Sequence, residues 1–104
     1  GLPKTLMISS NDVAEAINPN LLEIMNSIRS VFSVTPPELA ADIMEKGIIL
    51  SGGSSQLNNL EEFLKRSIGV SAYVADEAIL CVAKGTSIIL NHLDIYKRTL
   101  INRR

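Results

Sequence analysis

A short apolar run ending in two adjacent glycines constrains this chain more than any other stretch. It reads Gly47-Ile48-Ile49-Leu50-Ser51-Gly52-Gly53-Ser54-Ser55-Gln56-Leu57. The run over residues 48–51 has no polar alternation, so as a strand it is covered on both faces, as parallel strands are. Adjacent glycines at its carboxyl end let the backbone turn sharply and let a ligand approach closely. A helix is expected directly after them, with Leu57, Leu60, Phe63 and Leu64 on one side. Its first free amides point back at the bend, a setting suited to anionic or polar groups. Ligands of open α/β sheets bind outside the carboxyl ends of strands, so this bend is the one candidate site. A tight turn with no ligand is the plainer alternative, and spacing leaves both open.

The totals exclude several function classes. At 104 residues the chain is one domain or part of one. A hydrophobic share of 46% with 20% charged residues argues against disorder. The net charge of −1 leaves no basic footprint for nucleic acid, and the absence of Trp leaves few stacking platforms for single strands. Cys81 is the single cysteine, so neither an intrachain disulfide nor a cysteine-rich zinc site can form; this fits a reducing compartment. The apolar runs fall well short of the roughly 20 residues that span a bilayer, and no signal peptide is seen. The start at Gly1 rather than Met leads us to expect a processed product or a fragment.

Along the chain, Leu6, Met7 and Ile8 predict a strand over residues 4–9, which has no partner upstream. Ser9 and Asp12 have capping-box spacing before a short helix bearing Val13, Ala16 and Ile17. Asn18-Pro19 is expected to stop that helix and start the next, whose apolar side is Leu21, Ile24, Met25, Ile28, Val31 and Phe32. Thr35-Pro36-Pro37-Glu38 predicts a second capped start, with Thr35 as cap, Pro36 at the first helical position and Glu38 reaching back to the cap amide. Leu39, Ala40 and Ile43 are its buried side, and Lys46-Gly47 its end. After the glycine pair, Glu61–Lys65 and Glu62–Arg66 are one turn apart, and Gly69 closes the helix. Residues 70–75 alternate as a second sheet strand, making a parallel crossover. Asp76 is expected to cap a last helix with Ile79, Leu80, Val82, Ala83, Ile89 and Leu90 as apolar positions. The tail over residues 96–104 reads as a solvated basic end. The expected order is β-α-α-α-β-α-β-α. Gly85 lies mid-helix, where it costs about 1 kcal/mol relative to Ala. Close packing on another element explains it, as does a sliding contact at a domain boundary.

Little here supports catalysis. No Gly-Lys-[Ser/Thr] follows the glycine pair and no Gly-x-Gly-x-x-Gly is present. His92 has no metal-ligand partner one turn away and reads as a surface residue. Cys81, within Ile79-Leu80-Cys81-Val82-Ala83, reads as a small buried apolar residue. Ser54 and Ser55 read as helix caps, and Asp76-Glu77 is too polar a setting for acid–base work. No catalytic and no metal-binding residue is therefore expected.

Several stretches together resemble the bacterial actin-like rod-shape-determining family, MreB/Mbl, in its C-terminal part. They are Gly1-Leu2-Pro3-Lys4-Thr5, Thr35-Pro36-Pro37-Glu38-Leu39-Ala40-Ala41-Asp42-Ile43, the Gly47-to-Gly53 run, and Cys81-Val82-Ala83-Lys84-Gly85-Thr86. The resemblance implies an α/β fold, part of the second lobe of an actin/Hsp70-type (ribonuclease H-like) nucleotide-binding fold. Residues 1–18 would be a remnant of that lobe's small subdomain and 19–104 the C-terminal part of its large one. Gly52, Gly53 and Ser54 match the family's adenosine motif, with Gln56 and Leu57 just behind. Ala83 and Gly85 match the connecting helix at the hinge between lobes.

The implied parent is a slow ATPase using ATP and Mg, assembling with itself into filaments beneath the cytoplasmic membrane and guiding the cell-wall synthesis machinery. Membrane contact would run through parts absent from this chain. Ser54 stands where many bacterial relatives have a third glycine, and Ala78 where a proline is common. The phosphate loops and the residues positioning water and magnesium have no counterpart, so these residues alone are expected neither to hydrolyse ATP nor to hold it tightly. An open strand edge leads us to expect self-association of the fragment. Other actin-fold ATPases, sugar kinases and a non-nucleotide interaction module are the alternatives.

Overall fold

The computed structural model describes residues 1–101. They divide into two compact units, Gly1–Asp42 and Ile43–Arg104. The expected tail is only partly within the described residues, since Asn102, Arg103 and Arg104 lie outside them.

In the first unit, residues 1–9 form no regular element, and Leu6, Met7 and Ile8 are exposed. The expected strand is absent because its amides and carbonyls have no partner strand. Helix α1 runs Ser10–Ser33. Its capping box is formed: Ser9 Oγ accepts from the Asp12 amide at 3.2 Å, and the Asp12 carboxylate accepts from the Ser9 amide at 2.9 Å. The two helices expected around Asn18-Pro19 are one, with Pro19 inside it. Ile17, Leu21, Met25, Ile28 and Phe32 are its least exposed positions, and their spacing keeps phase across the proline. A stripe continuous on both sides favours one helix over the break that proline usually imposes.

Helix α2 spans Pro37–Lys46, one residue later than expected. Thr35 does not cap it. The Thr35 hydroxyl donates to Val31 O at 2.7 Å and the Thr35 amide to Phe32 O at 3.2 Å, so both groups close α1. With that amide taken, Glu38 has nothing to reach back to, and the first α2 bond runs from Ala40 N to Pro36 O. The free carbonyls at the α1 end outcompeted the free amides at the α2 start for the same threonine.

The second unit holds the sheet. Strand β1 (Ile48–Leu50) and strand β2 (Ala72–Val74) pair in parallel, with Ile48 opposite Ala72 and Leu50 opposite Val74. Helix α3 (Leu60–Ile68) makes the crossover and ends on Gly69 at φ 83. Leu64, Val70, Ala72 and Ala78 form the buried core here. The alternation read for β2 holds: Val70 and Ala72 are buried while Tyr73 is exposed.

Beyond β2 the expected single helix is three pieces. A 3-10 turn covers Ala78–Leu80, helix α4 covers Cys81–Asn91 and helix α5 covers Leu93–Ile101, with a 109° bend at His92. Asp76 does not cap them; Glu77 precedes the turn in left-handed geometry at φ 48, with no side-chain cap. The His92 Nδ1 lies 3.0 Å from Ile88 O. The observed order is therefore α-α-β-α-β-α-α. Ile79, Leu80, Val82 and Leu90, expected on a buried side, are exposed, while Cys81, Gly85 and Ile89 are half-buried. Among the described residues no single helix is long and apolar enough to cross a membrane.

Candidate functional site

The glycine pair lies where strand β1 ends. Gly52 sits at φ 86 and ψ 168, a backbone region that favours glycine, and Gly53 opens a four-residue 3-10 turn, Gly53–Gln56. The long helix expected there is split. Leu57 is extended at φ −57 and ψ 131, and Asn59 sits at φ 64 before α3 begins at Leu60. Asn tolerates left-handed geometry better than other side chains, so Asn58-Asn59 marks a break that leucine spacing alone conceals.

Three hydrogen bonds fix the bend. The Gly52 amide donates to Ala78 O at 2.8 Å, and the Gly52 carbonyl accepts the Ser55 amide at 3.2 Å and the Ser55 hydroxyl at 2.6 Å. Ser55 is therefore no N-cap: its hydroxyl donates to a carbonyl rather than accepting from an amide. Ser54 also gives no side-chain cap bond at this turn. The Ser55 amide makes the turn's first bond, so the amides of Gly53 and Ser54 precede it and have no partner within the turn. A Cβ built on Gly52 or Gly53 meets nothing within 4 Å, which leaves open space over both residues. Ser54, Gln56 and Leu57 are exposed on the same stretch.

Three further contacts brace the neighbourhood. The Glu61 carboxylate accepts the Val74 amide at 2.7 Å, tying the first turn of α3 to β2. That carboxylate was expected to pair with Lys65; one turn on, Arg66 Nε does donate to Glu62 at 2.8 Å as expected. Lys84 on α4 pairs with Glu77. A depression of about 340 Å³ lies beside the bend, lined by Gln56, Asn59, Glu61 and Val74 among others.

The structure thus brings Gly52, Gly53, Ser54, Gln56 and Leu57 together on one bend. Ala83 and Gly85 lie on α4, where a Cβ at Gly85 meets nothing within 4 Å and Ala83 is exposed. Close packing of Gly85 on another element is therefore not met among the described residues. Cys81 is half-buried rather than buried, its Sγ 3.8 Å from Glu77 O. Sequence reasoning missed the Ala78 carbonyl, the Ser55–Gly52 bond and the role of Glu61. A backbone carbonyl carries no residue-type signature, and the other two are visible only once the chain has folded. Among the described residues no group of three or more His, Cys, Asp or Glu is placed to hold a metal ion.

The model of the MreB/Mbl protein family matches residues 1–98. The cell shape-determining protein Mbl of Bacillus subtilis (strain 168) is 38% identical over 94 residues, covering 90% of this chain and 28% of that protein. The cell shape-determining protein MreB of Escherichia coli (strain K12) is 34% identical over 96 residues, covering 92% of this chain and 28% of that protein. Among solved structures, MreB 5 of Spiroplasma citri bound to AMPPNP matches with a TM-score of 0.85 at 28% identity, over 97% of this chain and 30% of that one. The chain spans less than a third of the length of these relatives.

Proposed function

This chain belongs to the MreB/Mbl family, with an actin-type α/β fold, and on that premise we propose that its Gly52-Gly53 bend lines a nucleotide in the intact protein. The observation carrying this is the open space over two consecutive glycines at the carboxyl end of a parallel strand. The AMPPNP held by the Spiroplasma citri relative supports a nucleotide as the ligand class.

The residues fit one side of an adenosine group. Gly52 and Gly53 would let it approach the backbone, the amides of Gly53 and Ser54 offer donors, and Gln56 and Leu57 stand behind. ATP supplies the phosphoanhydride bond whose hydrolysis drives assembly cycles. This segment's part is binding and orientation alone. This reading leaves the ligands of Mg to other parts of the protein.

In this proposal residues 1–18 come from the small subdomain of the second lobe and 19–104 from the large one. Ala83 and Gly85 lie in the connecting helix, and the exposed α4 positions are faces for the other lobe. The intact protein would be a self-assembling cytoplasmic filament subunit at the membrane that guides cell-wall synthesis. Photolabelling the intact protein with 8-azido-ATP tests the site. We expect label on the peptide containing residues 52–57, suppressed by excess ATP. Label confined to other peptides would contradict it.

A further inference from the structure

Gly52 is held at both of its backbone polar groups: the amide by Ala78 O, the carbonyl by Ser55. Ser55 is 5% exposed and is the one buried polar side chain among the described residues. Its placement is not that of a cap. The hydroxyl goes to a carbonyl that the turn's own amide already reaches, so the bond adds rigidity rather than satisfying an orphan. A four-residue 3-10 turn has little stability of its own, and Gly52 has more backbone freedom than any side-chain-bearing residue. The buried bond removes that freedom at the point where the bend must keep one shape.

The opposite hold is also braced. Ala78 is buried and follows Glu77, whose left-handed conformation at φ 48 and ψ 49 is unfavourable for a non-glycine residue. The Glu77 carboxylate pairs with Lys84, which holds that bend to α4. Gly52 is thereby clamped between two fixed points, while the amides of Gly53 and Ser54 have no partner within the turn.

We propose that Ser55 is a positioning residue for nucleotide binding. It touches no ligand. By holding the Gly52 carbonyl it fixes where the Gly53 and Ser54 amides point, so that the bend is ordered before the ligand arrives and binding does not bear that cost. The inference rests on the nucleotide reading of the same bend.

The test is ATP titration of the intact protein, with amide exchange at residues 52 and 55, whose amides are hydrogen-bonded at the bend, measured without nucleotide. Ser55→Ala should bind ATP about fivefold more weakly, as loss of one ordinary hydrogen bond implies, and should exchange faster at the bonded amides of residues 52 and 55. Ser55→Thr keeps the hydroxyl and should stay within about twofold of wild type in affinity, with slow exchange restored. Should Ser55→Ala fail to fold, Ser55→Cys substitutes a weak donor of similar size and carries the same expectation. Wild type that binds ATP, with Ser55→Ala equal to it in affinity and exchange, overturns the positioning role and leaves the nucleotide reading standing. Ser55→Thr as weak as Ser55→Ala overturns it too. Wild type that binds no ATP overturns the nucleotide reading first, and the role with it.

Discussion

The amide of Gly52 donates to the carbonyl of Ala78 at 2.8 Å, joining the bend after β1 to the bend after β2. At φ 86 and ψ 168, Gly52 makes this bond from a backbone region that is essentially glycine's alone and costs an L side chain about 1–3 kcal/mol. Nothing lies within 4 Å of a Cβ built there, so strain is the whole expected penalty. Gly52→Ala should lower unfolding free energy in urea by about that amount. Gly53 is not among the positive-φ residues, and Gly53→Ala should cost under about 0.5 kcal/mol. Equal losses at the two positions would contradict this assignment.

Gly47 is constrained more severely. It sits at φ 87, and a Cβ there would lie 2.7 Å from both Ser71 O and Tyr73 Cε2. Strain and overlap act together, so Gly47→Ala should destabilise by about 3 kcal/mol or more. Thermal unfolding of Gly47→Ala beside Gly52→Ala should place the former clearly lower.

Glu61 and Glu62 are adjacent acids with different work. Glu61 accepts the Val74 amide at 2.7 Å, whereas Glu62 pairs with Arg66 on the same exposed helix face. Glu61→Ala should cost about 1 kcal/mol, and Glu62→Ala about 0.5 kcal/mol or less. Chemical denaturation of the two variants checks the order.

Asp12 gives a pH dependence. The Ser9 amide, and then the Ser9 hydroxyl, hold its carboxyl below the ordinary value of 3.8. A depressed folded-state value means that the charged form is favoured by folding. The contribution is fully present above the ordinary value and disappears as pH falls through the lowered one. Acid titration of helicity should show loss at the start of α1 only below that ordinary value in wild type. Asp12→Asn should lack this component of the transition.

The parallel β1–β2 pair, the Gly69 stop and the Ser9–Asp12 box were legible because each depends on local chemistry or simple alternation. The strand expected over residues 4–9 failed for want of a partner, which no local pattern supplies. Pro19 misled because a stripe in phase on both sides outweighed a local breaker. Thr35 had two helix ends within reach, and residue type does not say which it serves. At the site, the glycine pair was readable, but its clamp depends on Ala78 O and a hydroxyl pointing inward, both products of tertiary folding.

Strand β1 pairs with β2 on one side, and Ile49 at its centre is 71% exposed. Apolar edges of this kind recruit other strands. The 104-residue chain by itself should therefore sediment as an oligomer at high concentration, and Ile49→Lys should shift it toward monomer. A wild-type monomer throughout would count against strand-mediated association.

The nucleotide role of the Gly52-Gly53 bend is tested most directly by calorimetric titration of ATP into the intact protein and its Gly53→Val variant. We predict saturable binding to wild type, and affinity at least about tenfold weaker once the open space over Gly53 is filled, with the fold retained by circular dichroism. Equal ATP affinity in the two proteins would contradict the account.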